Sequence, residues 1–131
     1  MCTFTHTNAV LTWVGAGVNP TLNPTGSQIG GVPQNMGTIA LTYYPISKAS
    51  LSANIRYVGN SWLDTQHTLP VPAYATVGLK ANYEITPGTT IFLSGVNILN
   101  RNYITYAAST SQTGYIVGQP QTFTVGARVV F

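Results

Sequence analysis

Alternation of apolar and polar residues is the feature that most limits what this chain can fold into. The last ten residues show it best, because one parity carries Phe123, Val125, Ala127, Val129 and Phe131. Successive side chains of a strand point to opposite faces, whereas side chains on one face of a helix recur at intervals of about 3.6 residues. The pattern therefore predicts strands with one apolar face, and patterns of helical period are nearly missing.

The alternation predicts six antiparallel strands. They are expected near residues 3–14, 38–43, 50–57, 75–84, 89–99 and 122–131. Two tight turns rich in proline, serine and glycine are predicted between them, at residues 45–48 and 86–88. Three long connections are predicted at residues 15–33, 61–72 and 100–119. Short turns at one end of the strands and long loops at the other are expected of an up-and-down transmembrane β-barrel.

The predicted strands are long for a soluble domain. The longer ones run about 10 to 12 residues, whereas strands of globular proteins usually have about 5 to 6. At about 3.3 Å per residue and a tilt of about 40°, such a strand spans roughly 25–30 Å. This span matches the thickness of the apolar band of a membrane.

Charge is scarce, and its placement distinguishes the two faces. The 131 residues carry five Lys or Arg and two Asp or Glu, which is 5% of the chain, against about 25% in ordinary soluble domains. The charged residues of the predicted strands fall on the parity opposite the apolar one: Arg56, Lys80, Glu84 and Arg128. An Arg or Lys that faces lipid at mid-membrane costs about 2–4 kcal/mol. We therefore expect the apolar parity to face lipid and the polar parity to line the barrel interior.

A soluble β-sandwich is the alternative fold, since it would use the same alternation with its apolar side chains inside. The scarcity of charge, the strand length and the asymmetry of the connections favour the membrane barrel. Aromatic residues stand near both ends of the predicted strands, as in interfacial girdles, although tyrosine is also a good strand former. They are Trp13, Tyr43, Tyr57, Trp62, Tyr74, Tyr83 and Phe131.

Composition and length disfavour several other classes of protein. A chain that is 44% hydrophobic with few charges is neither disordered nor a coiled coil. Five dispersed basic residues supply no basic stripe for nucleic acid. No apolar run is long enough for a transmembrane helix, and the first residues do not have the pattern of a secretory signal.

The sequence shows no catalytic or metal-binding constellation, so we predict neither an enzyme nor a cofactor. Cys2 stands alone, which leaves no disulfide framework, metal cluster or redox pair. His6 and His67 belong to different segments, and Asp64 is the acid nearest to His67. A polar loop explains His67 and Asp64 better than a metal site or a Ser–His hydrolase does.

Motifs in the last third of the chain resemble those of TonB-dependent outer-membrane receptors. Residues 95–103 (GVNILNRNY) resemble the family's strand-end motif, of the type Asn-Leu-Phe-Asp-Lys-x-Tyr. Residues 118–122 (GQPQT) are similar to the Gly-x-Pro-Arg-x segment before the final strand, and residues 124–131 resemble the outer-membrane assembly signal that ends in Phe.

Two further segments resemble the same family, in the family's order. Residues 32–35 (VPQN) are similar to the lead into a strand, and residues 56–74 are similar to the next hairpin. The chain departs from the family pattern where Gln121 replaces Arg, and where Gly78 and Asn100 replace Asp. These departures leave the substrate subclass open.

The resemblance implies an all-β, antiparallel up-and-down barrel of the 22-stranded type, of which residues 1–131 would be about six carboxy-terminal strands. Six strands cannot close a transmembrane barrel, because bacterial single-chain barrels start at about eight. The amino-terminal plug domain, the TonB-binding segment and the other strands are therefore expected to be absent. The assembly signal would comprise Thr124, Gly126, Val129 and Phe131.

The resemblance also implies a location and partners. We expect a receptor in the outer membrane of a Gram-negative bacterium that takes up ferric siderophores or a related scarce nutrient. Its partners would be outer-membrane lipid, the barrel assembly machinery, and the TonB complex through the missing amino-terminal part. A passive porin-like barrel and a soluble β-sandwich binding module remain as alternatives.

The third long connection is the best candidate for ligand binding, with a contribution from the loop before it. The predicted ligand-binding residues are Arg101, Tyr103, Tyr106, Tyr115 and Trp62. One cation and several aromatic faces suit an anionic, aromatic iron chelate through charge and stacking. Tyr103 fits the position of an interface aromatic equally well.

Overall fold

The computed structural model describes residues 1–13, 25–63, 67–110 and 112–130. These residues form ten β-strands and no helix. The strands are β1 (Cys2–His6), β2 (Asn35–Ile46), β3 (Ala49–Val58), β4 (Ser61–Trp62), β5 (Pro70–Val71), β6 (Tyr74–Thr86), β7 (Thr89–Val96), β8 (Ile104–Thr110), β9 (Gln112–Val117) and β10 (Thr122–Val129).

Six of the strands form one antiparallel sheet in the order β1-β2-β3-β6-β7-β10. Within this sheet, each strand pairs with the one that follows it in the chain. The other four strands form two small sheets, β4–β5 and β8–β9, which lie in the connections between strands of the main sheet. The predicted six-stranded, up-and-down antiparallel arrangement is confirmed. The strands lie in one sheet rather than in two packed layers, which does not fit the β-sandwich alternative.

The first strand differs most from its predicted bounds, and the ends of the other five differ by three residues or fewer. The first strand ends at His6, and beyond it the pairing is irregular: Val10 forms an isolated bridge with Gln28, and the Leu11 N–H donates to the Ser27 carbonyl at 2.8 Å. The segment opposite this part of the chain is interrupted by Gly26 and Gly31, whose φ angles are +92° and +79°, so a regular ladder cannot continue there. The strand predicted over residues 89–99 ends at Val96, because Asn97 takes a left-handed φ of +49°.

The register places the predicted apolar parity on one face of the sheet, which we call the apolar face. Residues directly opposite each other in an antiparallel pair lie on the same face. One row across the sheet reads Leu41, Ala53, Leu79, Gly95 and Phe123, and the next reads Tyr43, Leu51, Ala81, Leu93 and Val125. These side chains stay open to the surroundings: Leu41 is 68% exposed and Val125 is 78% exposed.

Almost no hydrophobic core lies within the described residues. The buried hydrophobic side chains among them are Val58 and Val71, which are 8% and 7% exposed. Both lie at the end of the sheet that carries the long connections. The apolar face is therefore not covered by any other described part of the chain.

The opposite face, which we call the polar face, carries hydroxyl, amide and charged side chains. A row across it reads Thr42, Ser52, Lys80, Ser94 and Thr124. The Thr42 and Ser52 hydroxyls lie 3.2 Å apart in a hydrogen bond, and Asn82 Nδ2 donates to Ser50 Oγ at 2.9 Å. All four charged strand residues lie on this face, as predicted from their parity: Arg56, Lys80, Glu84 and Arg128.

The two short turns lie at the same end of the sheet. One joins β2 to β3 through Ser47 and Lys48, and the other joins β6 to β7 through Pro87 and Gly88. Gly88 has a φ of +85°, and its carbonyl accepts a hydrogen bond from the Val130 N–H at 2.8 Å. The asymmetry between short turns and long connections is confirmed.

Candidate functional site

The long connections meet at the other end of the sheet, and two of them contain short β-structure. In the connection after β3, Ser61 and Trp62 pair with Val71 and Pro70. In the connection after β7, β8 pairs with β9 over residues 104–117. The sequence predicted plain loops here. Each pair forms a separate two-stranded sheet between residues that are close in the chain.

Arg101 and Tyr103 lie in the segment that leaves β7. The Arg101 N–H donates to Asn97 Oδ1 at 2.9 Å, and the Arg101 carbonyl accepts from Asn97 Nδ2 at 2.9 Å. The Arg101 side chain is exposed. Its main chain is thus fixed while its guanidinium group remains available to solvent.

Tyr103 stacks on Tyr74, the first residue of β6. Their ring centroids are 4.2 Å apart and the ring planes differ by 24°. Gly118 lies under the Tyr103 ring, since a Cβ atom at Gly118 would overlap it, and the Gly118 N–H donates to the Tyr103 carbonyl at 2.7 Å. The glycine of the GQPQT motif therefore allows the returning chain to pass directly beneath the stacked tyrosines.

A cavity of about 320 Å³ lies around this stack. Its lining includes Pro72, Tyr74, Arg101, Tyr103 and Val117. It combines one cation with two aromatic rings and aliphatic walls. A planar, anionic group fits such a lining, because a guanidinium group binds carboxylate or phenolate oxygens while aromatic faces stack on flat rings.

A second cavity, of about 180 Å³, adjoins the first one. Tyr74 and Ile104 line both cavities, and Arg56 and Ser61 line the second. Arg56 thus brings a second cation to the same end of the sheet. The sequence did not single out Tyr74 or Arg56 as site residues. The only signal was their position near the ends of strands that meet the long connections.

Trp62 lies apart from the cavity around Arg101. Its ring stacks on His67, with centroids 4.9 Å apart and planes at 21°, and its carbonyl accepts from the Gly31 N–H at 2.6 Å. His67 has a left-handed φ of +59°. Of the predicted ligand-binding residues, the structure brings Arg101 and Tyr103 together and places Trp62 in a separate stack.

The other two predicted ligand-binding residues belong to the β8–β9 hairpin. Tyr106 lies in β8 and pairs in register with Ile116, and Tyr115 lies in β9 opposite Ala107. The side chains of Tyr106 and Tyr115 lie outside the described part of the structure. Their role in binding stays a prediction.

The predicted assembly-signal residues occupy the last strand of the sheet. Thr124, Gly126 and Val129 lie in β10, opposite Ser94, Phe92 and Thr89 of β7. Phe131 lies outside the described residues. Recognition of these residues by assembly machinery stays a prediction.

Within the described ranges, no group of three or more His, Cys, Asp or Glu side chains could hold a metal ion. His6 Nδ1 instead forms a hydrogen bond with Asn35 Oδ1 at 2.8 Å, and Cys2 is exposed. Asp64 lies outside the described residues.

No helix in the described part of the chain is long and apolar enough to cross a membrane.

A known protein family matches most of this chain. The sequence profile of the family described as TonB dependent receptor-like, beta-barrel matches residues 3–98. No curated protein matches the chain.

Solved structures of siderophore receptors are similar to this fold. The siderophore receptor PiuA from Acinetobacter baumannii matches with a TM-score of 0.74 at 20% identity, over 80% of this chain and 15% of that chain. BauA, the ferric preacinetobactin receptor from the same species, matches with 0.73 at 21% identity, over 95% of this chain and 18% of that chain. FyuA, the ferric yersiniabactin uptake receptor from Yersinia pestis, matches with a TM-score of 0.68 at 20% identity, over 82% of this chain and 18% of that chain. The chain thus spans less than a fifth of the length of these structures.

Proposed function

The chain belongs to the TonB-dependent receptor β-barrel family, and from this premise we propose that it forms the carboxy-terminal wall of an outer-membrane receptor for ferric siderophores or a related scarce nutrient. In this proposal it is a transport protein of a Gram-negative bacterium and not an enzyme. The rest of the barrel, the plug domain and the TonB-binding segment belong to the longer protein.

The observation that carries the proposal is the division of the sheet into two faces. The rows of the apolar face through Leu79 and through Ala81 each run across five strands, and the charged residues of the described strands lie on the polar face. Placing the apolar face in lipid removes exposed apolar area from water, at about 25 cal/mol per Å². The polar face then lines the interior of the barrel.

The two edges of the sheet support membership of a larger barrel. In the described structure, β1 pairs only with β2, and β10 pairs only with β7. An open edge in lipid leaves backbone N–H and C=O groups unpaired, each at a cost of several kcal/mol. Further strands on both sides would remove this cost. The matched structures are much longer than this chain, which covers 15–18% of each, and this supports the proposal of a larger barrel.

The cavity around Arg101 supports binding of an anionic, aromatic iron chelate at the outer end of the barrel. Arg101 supplies positive charge, and Tyr74 and Tyr103 supply stacked ring faces beside it. Tyr106 and Tyr115 of the β8–β9 hairpin, and Trp62, would contribute from the surrounding connections. The barrel assembly machinery and the TonB complex are the proposed protein partners.

Uptake of labelled iron tests the proposal. The full-length gene product that contains this chain is produced in a Gram-negative strain without other catecholate receptors, with and without an active TonB complex. Iron(III) tris-catecholate labelled with radioactive iron serves as the probe. We expect saturable uptake that disappears without TonB. Uptake that does not saturate and does not depend on TonB would instead indicate that the protein is a passive porin-like barrel.

A further inference from the structure

Asn97 is the most deeply buried side chain that the structure describes, and it is polar. It is 1% exposed, in a molecule whose described part has almost no core. Burying an amide is unfavourable unless its hydrogen-bonding groups are satisfied. Burial of Asn97 therefore indicates a specific role rather than general packing.

The Asn97 amide is satisfied by main-chain groups on both sides of the third long connection. Nδ2 donates to the Arg101 carbonyl and to the Gln119 carbonyl, each at 2.9 Å, and Oδ1 accepts from the Arg101 N–H at 2.9 Å. Arg101 belongs to the segment that leaves β7, and Gln119 to the segment that returns toward β10. One side chain thus joins the two ends of the connection.

Two further hydrogen bonds support the same junction. Gln121 Nε2 donates to the Ile98 carbonyl at 2.7 Å, and the Gly118 N–H donates to the Tyr103 carbonyl at 2.7 Å. The Ile98 N–H donates to the Val77 carbonyl at 3.0 Å, which anchors the junction to β6. Gln121 replaces the arginine usual in the family, and it takes part in this junction through a neutral amide.

The junction determines where the candidate ligand groups lie. Asn97 binds both the N–H and the carbonyl of Arg101, so it fixes the main chain from which the guanidinium group projects. Tyr103 follows two residues later and reaches Tyr74. Ordering these groups before the ligand arrives lowers the entropy cost of binding.

We propose that Asn97 is a positioning residue of the ligand site: its side chain holds Arg101 and Tyr103 in a preformed arrangement beside Tyr74. The identity of the ligand in this inference rests on the proposed function. The arrangement of the residues rests only on the hydrogen bonds described above. Asn97 itself contacts main-chain groups of the loop, so it acts through Arg101 and Tyr103.

Asn97→Gly in the full-length receptor removes the amide side chain and leaves the backbone conformation accessible. Asn97 has a φ of +49°, which glycine adopts without strain, whereas alanine would add a backbone penalty. Asn100→Gly is the matched control. Asn100 has a φ of +48°, is exposed, and makes no side-chain hydrogen bond to the described residues. The two variants thus share the same chemical change in the same backbone conformation.

The rate at which trypsin cleaves the one bond after Arg101, distinguished from its other sites by the masses of the fragments, measures the geometry without any ligand. Cleavage requires the loop to open locally, and its rate follows the open population. We expect Asn97→Gly to raise the rate about tenfold or more, and Asn100→Gly to leave it within about twofold. Heat-modifiable electrophoresis verifies that both variants form a folded barrel. Equal cleavage rates for the two variants would overturn the proposal.

Binding of iron(III) tris-catecholate, followed by quenching of tyrosine and tryptophan fluorescence, measures the consequence for the site. We expect Asn97→Gly to weaken binding about tenfold, and to add little once Arg101→Ala is present, because residues that act through one another are not additive. Full additivity of the two substitutions would overturn the positioning role. If the unsubstituted receptor binds no chelate, the proposed function fails, while the tryptic rates still decide whether Asn97 orders the loop.

Discussion

The ring of Phe92 lies against Gly126, its direct partner across β7 and β10. A Cβ atom at Gly126 would lie 2.6 Å from Phe92 Cζ, which is closer than real contacts allow. The reverse pair occurs on the other face, where Phe123 of β10 lies against Gly95 of β7. Each strand therefore supplies a glycine beneath the partner's aromatic ring, and Gly126 has a packing role of its own beside the predicted one in assembly.

Gly126→Ala should impair folding of the full-length barrel, because the added methyl group overpacks the ring at a cost of about 1–3 kcal/mol. The folded fraction is measured by heat-modifiable electrophoresis. Phe92→Ala in the same background should restore much of it by removing the ring. Ala127→Val, on the apolar face one residue along, is the control for added volume and should have little effect. Failure of Phe92→Ala to restore folding would mean that Gly126 is needed for recognition and not for packing.

Val125→Arg should destabilise the barrel far more than Thr124→Arg does. Val125 is 78% exposed on the apolar face opposite Leu93, whereas Thr124 lies on the polar face opposite Ser94. An arginine that faces lipid near mid-membrane costs about 2–4 kcal/mol. Urea-induced unfolding of the full-length receptor in lipid vesicles measures the difference. A larger loss for Thr124→Arg would reverse the assignment of the two faces.

Arg101→Ala should weaken binding of iron(III) tris-catecholate by about fivefold to tenfold, because it removes the cation of the cavity beside Tyr74 and Tyr103. Fluorescence quenching of the full-length receptor measures the affinity. Lys48→Ala is the matched control, since it also removes one positive charge but lies in the short turn at the opposite end of the sheet. Equal affinities of the two variants would exclude Arg101 from the binding site.

Gly88→Ala should lower the stability of the full-length barrel by about 1–2 kcal/mol, because Gly88 has a φ of +85° and an alanine is strained there. Its Cβ atom would also lie 2.9 Å from the Val130 carbonyl oxygen. Urea-induced unfolding in vesicles measures the loss. Ser47→Ala in the other short turn is the control and should change stability by less than about 0.5 kcal/mol. A neutral Gly88→Ala would show that the turn relaxes without cost.

The sequence by itself determined the order of the six strands of the main sheet and the face on which each side chain lies. A strand exposes alternate residues on opposite sides, so the parity of Leu79 and Val125 could be read locally, as could that of Lys80 and Arg128. The positions of the short turns followed from Pro87 and Gly88 in the same way. Membership of the family was indicated by motifs of a few residues each, and the matching profile confirms it.

Only the tertiary structure decided which residues meet at the loop end of the sheet. The contact between Tyr74 and Tyr103, and the hydrogen bond from Asn97 to the Gln119 carbonyl, join segments that are separate in the chain. Such contacts depend on the register between strands and on the path of the connection, and a local pattern encodes neither. For the same reason, β8 and β9 were predicted as loop, Tyr74 was missed as a site residue, and Asn97 was seen only as part of a motif. Alternation determines which face a side chain lies on, whereas the pairing of strands determines its neighbours.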